Sequence, residues 1–274
     1  MNRLGVLLVA CVVLCSLAAP ARAQKVPGQS VIDLPTRPGV TVRYLALAPA
    51  QPKAAVLLFT GGAGVANIPD DPGAGYARRG NFLVRSREYF RAQGLFVGVI
   101  DVPSDHREGY GAFRATADHA EDIAAVIADM RRRAPGVPVW VIGTSKGTIS
   151  AADAAVRLPR GKGADGLVLT STITRPAGRN SGPGGQQTVF DFDLDSVTIP
   201  TLIVGHRADA CFVTPFADAE QLRGKFAKAP RTGLLAFSGG SPPESADCEA
   251  LAAHGYFGIE REVVDAIADW ILKN

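Results

Sequence analysis

Gly143-Thr144-Ser145-Lys146-Gly147 is the most specific chemical pattern in the chain, a G-x-S-x-G motif. A serine between two glycines on a sharp turn presents its hydroxyl clear of the backbone, where it can serve as a nucleophile. The glycines answer to geometry, because bulk at either position of so tight a turn collides with the neighbouring strand or helix. A serine hydroxyl alone is a weak nucleophile. It needs a general base, and the base needs a partner that fixes its tautomer. The chain offers four histidines for the first role: His106, His119, His206 and His254. The plain alternative is a Gly/Ser turn that serves only the backbone.

The motif sits between an apolar run at 137–142 and a helical stretch at 146–158, so the order is strand, turn, helix. The continuous apolar run at 54–60 suits a strand buried on both faces, 95–102 reads as the next buried strand, 167–172 and 201–204 read as strands, and 234–237 as a short one. A weakly alternating strand is expected at 42–47, after an irregular lead-in over 24–40. Helical spacing is expected from Asn81, a good cap, to about Gln93, ended by Gly94. Further helices are expected at 112–133, 215–226 and 258–273, the last with Val263, Val264, Ile267, Trp270 and Ile271 on one stripe. The Gly/Pro/Asp-rich loop at 61–80 is long enough to read as functional. A second glycine-rich loop is expected at 176–187. Strands alternating with helices predict a mostly parallel sheet with helices on both faces, and no internal repeat is visible. The segment 171–200 is too short and glycine-rich for a large cap domain.

This strand-turn-helix with its G-x-S-x-G resembles the nucleophile elbow of the α/β-hydrolase superfamily. The resemblance runs from about Ala54 to the end. It looks closest to small exported bacterial hydrolases of the dienelactone-hydrolase-like or serine-esterase type, which lack a large cap. It implies the chain order nucleophile, acid, base. Ser145 matches the nucleophile. Asp209, in Gly205-His206-Arg207-Ala208-Asp209 after a strand, matches the acid, with Glu220 and Asp247 as weaker candidates. His254, between the last strand and the terminal helix, matches the base. Pro215 follows Asp209 by six residues, where many relatives place a proline about four residues after the acid. An oxyanion also needs N–H donors. One is expected from the backbone of Lys146 and another from the Gly61-Gly62-Ala63-Gly64 loop, with Gly62 and Ala63 both open. Dienelactone hydrolases proper use a cysteine nucleophile, so a serine argues against that activity.

The other polar groups read as structural. His119 lies on a helix, and Ser104-Asp105-His106 suits a solvated turn as well as a site edge. His206 and Cys211 flank the candidate acid without further spaced metal ligands, so no metal and no cofactor is expected.

Met1-Asn2-Arg3, an apolar stretch over 4–19 and Ala21-Arg22-Ala23 read as a signal peptide over 1–23, leaving 24–274 as a single domain. The alternatives are an uncleaved anchor, for which the apolar run is short, or a lipoprotein leader modified at Cys11. Losing Arg3 and Arg22 takes the net charge from +3 to +1, which gives no footprint for nucleic acid or an anionic membrane. Arg131-Arg132-Arg133 reads as a solvated helix end. Cleavage also removes Cys11 and Cys15. Cys211 and Cys248 remain, bound for an oxidising compartment, and are expected to form a disulfide joining the acid and base loops.

These features together describe a periplasmic or secreted serine hydrolase acting on small-molecule carboxylic esters, without a membrane span after cleavage. Acyl transfer, or amide and peptide cleavage, would use the same triad. A non-catalytic binding protein that kept the fold is the alternative from another class. The natural substrate and the oligomeric state are not written in the sequence.

Overall fold

A computed structural model describes residues 28–72, 80–178 and 184–273. The signal-peptide expectation for 1–23 lies outside the described residues, as do parts of both predicted loops. The framework is an eight-stranded sheet in the order β1-β2-β4-β3-β5-β6-β7-β8. The strands are β1 (Gln29–Arg37), β2 (Val40–Leu47), β3 (Ala54–Phe59), β4 (Leu95–Pro103), β5 (Val139–Ser145), β6 (Gly166–Thr172), β7 (Thr201–His206) and β8 (Thr232–Phe237). β2 pairs antiparallel with both β1 and β4, and every pairing from β4 to β8 is parallel. The predicted architecture is therefore present, with no cap domain among the described residues.

The apolar runs explain the parallel strands. In β3, Ala55, Leu57 and Phe59 join a core shared with α3 (Ala117–Arg133), α4 (Gly147–Arg157) and α5 (Ala219–Arg223). Val56 and Leu58 join the opposite core, with α1 (Phe82–Arg85), α2 (Arg87–Ala92) and α6 (Glu260–Leu272). Both faces are dry, so the runs need not alternate.

Four sequence expectations require correction. The lead-in over 24–40 is not irregular throughout, because it contains β1. Its side chains alternate only loosely, and long-range contacts hold it. Arg37 Nε donates to Asp122 Oδ1 on α3 at 2.9 Å, its Nη1 reaches Asp105 at 3.0 Å, and Thr36 also bonds Asp122. The helix expected over 81–93 is two helices, α1 and α2, separated at Ser86. Asn81 does cap the first, accepting from the backbone N–H groups of Leu83 and Val84. The stretch 112–133 divides at Thr116 into a 3₁₀ turn, Gly111–Ala115, and α3; the Thr116 hydroxyl accepts from the His119 N–H. The helix expected over 215–226 shrinks to the 3₁₀ turn Phe216–Asp218 and the five-residue α5. The arginine run does end the helix with exposed Arg132 and Arg133, which pair with Asp129, while half-buried Arg131 reaches Asp165 and two loop carbonyls.

His119 is wholly buried among Phe59, Tyr110 and Phe113, and neither ring nitrogen finds a hydrogen-bond partner. Burial first, then the charges of Arg114, Arg37 and His106, hold its pKa well below 6.5. The folded ring stays neutral while the unfolded ring binds a proton, so stability falls as pH drops below about 6.5. His119→Phe is expected to remove up to about 1.4 kcal/mol per pH unit of that acid loss. Urea unfolding at pH 7, 6 and 5 checks this, and parallel pH profiles for the two proteins would contradict it.

Candidate active site

The elbow is built where β5 runs into α4. Ser145 adopts a left-handed backbone (φ +51°), unusual for a residue with a side chain and a mark of local strain. The register with β6 shifts between Thr144 and Ser145, lifting the serine off the sheet. Gly147 meets the β3 end so closely that a Cβ there would lie 2.1 Å from the Phe59 carbonyl oxygen, so only glycine fits. The Thr148 hydroxyl donates to the Ser145 carbonyl at 2.6 Å and accepts from Ile173 N–H at 3.2 Å, tying the turn to the chain beyond β6. Lys146 stands at the α4 N-terminus, where free N–H groups and the helix dipole favour negative charge.

Asp209 follows β7, and His254 lies in the 3₁₀ turn Ala253–Gly255 between β8 and α6. Both side chains are buried, and His254 Nδ1 lies 3.1 Å from Asp209 Oδ2. Thr214, which sequence reading missed, completes this pair. Its hydroxyl donates to Asp209 Oδ2 at 2.9 Å and lies 3.1 Å from His254 Nδ1. One hydroxyl proton cannot serve both, so the lone pair facing the ring accepts from Nδ1–H. That fixes the tautomer with Nε2 unprotonated, as a general base requires. Asp209 Oδ1 accepts from the Cys211 N–H at 3.0 Å.

The base loop is held from three sides. Ser171 Oγ donates to the His254 carbonyl at 2.7 Å. The Tyr256 hydroxyl donates to the Val204 carbonyl at 3.0 Å and accepts from Ser171 N–H at 3.2 Å, joining the ends of β6 and β7. Ser171 and Tyr256 both have positive φ. Burial raises the Tyr256 pKa further above its usual range, which keeps this donor protonated. Arg85 on α1 donates to the Gly255 carbonyl at 2.6 Å while pairing with Glu260. None of these tethers has a sequence signal beyond residue type.

Ser145, Lys146, His254, Gly62, Ala63, Cys211 and Cys248 all line one cleft of about 720 Å³, and Asp209 sits behind His254. Residues 60–64 also line the cleft, as do Phe212, Val213 and Glu249. Phe212 is 61% exposed, the one large apolar side chain so exposed among the described residues. Cys211 and Cys248 form the predicted disulfide, with Cα atoms 4.6 Å apart.

The remaining candidates lie elsewhere. His206 is buried, with Nδ1 accepting from Ala208 N–H and Nε2 3.0 Å from the Gly239 carbonyl. His106 stacks on Phe113, Asp105 pairs with Arg37, and Ser104 accepts from Thr41 N–H. Glu220 pairs with Arg223 on α5, and Asp247 is exposed. Among the described residues no cluster of His, Cys, Asp and Glu is suited to a metal ion, and no helix is long and apolar enough to cross a membrane.

No protein-family model and no curated protein matches the chain. Solved structures do. An esterase from Pyrococcus furiosus superposes with a TM-score of 0.60 at 14% identity, covering 89% of this chain and 91% of that one. A dienelactone hydrolase from Anabaena variabilis gives 0.58 at 14% identity, covering 90% and 98%. A lidless α/β serine hydrolase from Xanthomonas campestris gives 0.58 at 15% identity, covering 89% and 95%. At such identities the likeness is one of fold: the chain has the α/β-hydrolase fold.

Proposed function

We propose that the protein is an exported serine hydrolase that cleaves carboxylic esters of small molecules through an acyl-enzyme on Ser145. The observation that carries this reading is the buried Asp209–His254 pair, tautomer fixed by Thr214, in the same cleft as a serine on a strained elbow. Ser145 Oγ attacks the ester carbonyl while His254 Nε2 takes its proton. The carbonyl π pair moves onto oxygen, facing backbone N–H donors. Collapse expels the alcohol, which receives the proton from His254. Water then repeats the sequence and releases the acid, regenerating Ser145. Asp209, 3.1 Å from Nδ1, orients the ring and balances the imidazolium. Export is supported by the leader-like residues 1–23 and by a disulfide that needs an oxidising compartment to persist.

No cap that could enclose a long chain covers the cleft among the described residues, so short and medium acyl groups are the expected substrates. Turnover of p-nitrophenyl esters from acetate to palmitate measures this. A kcat/KM peak at palmitate contradicts the chain-length preference. No ester turnover and no fluorophosphonate adduct on Ser145 would leave a binding protein instead. Added alcohol acceptors separate hydrolysis from acyl transfer by their products.

A further inference from the structure

A buried cation without an anion stands behind the glycine-rich loop. Arg114 lies on the 3₁₀ turn Gly111–Ala115 and is only 2% exposed. Its Nη2 donates to the carbonyls of Thr60 at 3.0 Å and Gly62 at 3.3 Å, and its Nη1 donates to Ser150 Oγ at 2.8 Å. The guanidinium lies 4.8 Å from the Tyr110 ring centroid. The seat is closely fitted: a Cβ on Gly64, itself at φ +88°, would fall 2.6 Å from Arg114 Nη2. Among the described residues no carboxylate lies within ion-pair distance of Arg114, whereas Arg37, Arg43 and Arg85 each hold one. Burial lowers the Arg114 pKa to about 10, which still leaves it charged at neutral pH. A buried, unneutralised charge costs stability, and its position needs a reason.

The position supplies one. Gly62 and Ala63 line both the main cleft, which holds Ser145, and a smaller cavity of about 250 Å³, which Arg114 lines. A trans peptide points its carbonyl and its N–H in opposite directions. With the Gly62 carbonyl drawn to Arg114, the Ala63 N–H of the same peptide is turned away from Arg114. That N–H finds no protein acceptor among the described residues. The Gly61 carbonyl, by contrast, accepts from Gly64 N–H at 3.0 Å, so the orientation of the Gly62 N–H does not depend on Arg114.

We propose that Arg114 is the positioning residue of the oxyanion site, selecting the Ala63 N–H to act with the Lys146 N–H, and that the charge developing on the substrate oxygen is the anion this guanidinium otherwise lacks. The proposal rests on the ester-cleavage reading of Ser145. A cation behind the Gly62–Ala63 peptide polarises it, so its N–H donates more strongly. The field acts across a single peptide, and it requires no reorganisation when charge appears.

The test compares transition-state with ground-state binding in Arg114→Lys and Arg114→Gln. Loss of one oxyanion donor costs on the order of 10²–10³ in kcat, and misorientation of Ala63 should approach the lower end. In Arg114→Gln, kcat is expected to fall about 10²-fold with KM changed by less than about threefold, since the interaction belongs to the transition state. Affinity for a trifluoromethyl ketone, which forms the tetrahedral adduct, should fall by the same factor, while affinity for the product acid holds. Arg114→Lys keeps the charge but not the two-carbonyl fork and should lie between. If Arg114→Gln does not fold, Arg114→Lys and Ser150→Ala carry the test, the latter freeing Nη1 alone. Wild-type kcat and wild-type ketone affinity in any folded Arg114 variant overturn the proposal. Labelling of wild-type Ser145 by a fluorophosphonate checks the underlying reading separately. An unlabelled, inactive wild type sinks that reading, whereas a labelled, active wild type with an indifferent Arg114 sinks only the positioning role.

Discussion

Ser145→Ala and His254→Ala are each expected to lower kcat for ester hydrolysis by on the order of 10⁴–10⁶ and to leave the fold intact. Ser145→Ala removes a single oxygen from the cleft lining; His254 is buried, but the base loop is tied by bonds to its backbone from Ser171 and Arg85 that His254→Ala keeps. Nucleophile and base act as one unit, so the double variant should be little worse than either single one. Asp209→Asn should lose comparable or less activity, because Thr214 still contacts Nδ1. Steady-state kinetics, with thermal unfolding as the control, decides the matter. A Ser145→Ala protein with full turnover would falsify the nucleophile assignment. A double variant slower by the product of the two single effects would show that the two groups do not work as a unit.

The second large effect is expected from Cys211→Ser/Cys248→Ser. The bond closes a loop spanning 37 residues, which in the chain-entropy model stabilises the fold by roughly 4 kcal/mol. Its catalytic effect should be separable. Cys211 N–H holds Asp209 Oδ1, and the Cys248 segment runs on to Ala250, whose carbonyl packs against Gly255 beside His254. Without the bond, the acid and the base lose a shared tether, and kcat should fall more than KM rises. Kinetics below the transition temperature of the variant isolates this from unfolding. Unchanged kcat would leave the bond purely structural. Intact mass of protein recovered from an exporting host tests two readings at once: a chain beginning at Gln24 and lighter by two hydrogens. Two free thiols, retained residues 1–23 or a lipid on Cys11 would each contradict a specific one of them.

The sheet was legible because its central parallel strands are buried on both faces and read as unbroken apolar runs, as in 54–60 and 201–204. β1 was not, since its side chains alternate only loosely; an antiparallel ladder to β2 and the reach of Arg37 to Asp122 hold it. Helix lengths failed at Ser86 and in 215–226, where tertiary packing overrides a permissive local pattern. Ser145 was legible because its turn demands glycines at fixed spacing. Asp209 and His254 were placed only through chain order taken from a family resemblance. Thr214, Ser171, Tyr256 and Arg114 had no local signal. Each acts through bonds to residues at least five positions away in the chain.

The way the cleft is lined bears on how the site can change over time. Gly61, Gly62 and Gly64 bring no side chains to it. Two further loop segments that line it, 211–213 and 248–250, are joined to each other by a covalent bond. Phe212 and Glu249 on these segments are exposed and hold no core in place. Drift toward a new substrate therefore has a short list of positions to explore, and exploring them leaves the elbow and the imidazole undisturbed. The disulfide in that sense confers tolerance: it lets the selective half of the site vary while the reactive half stays put.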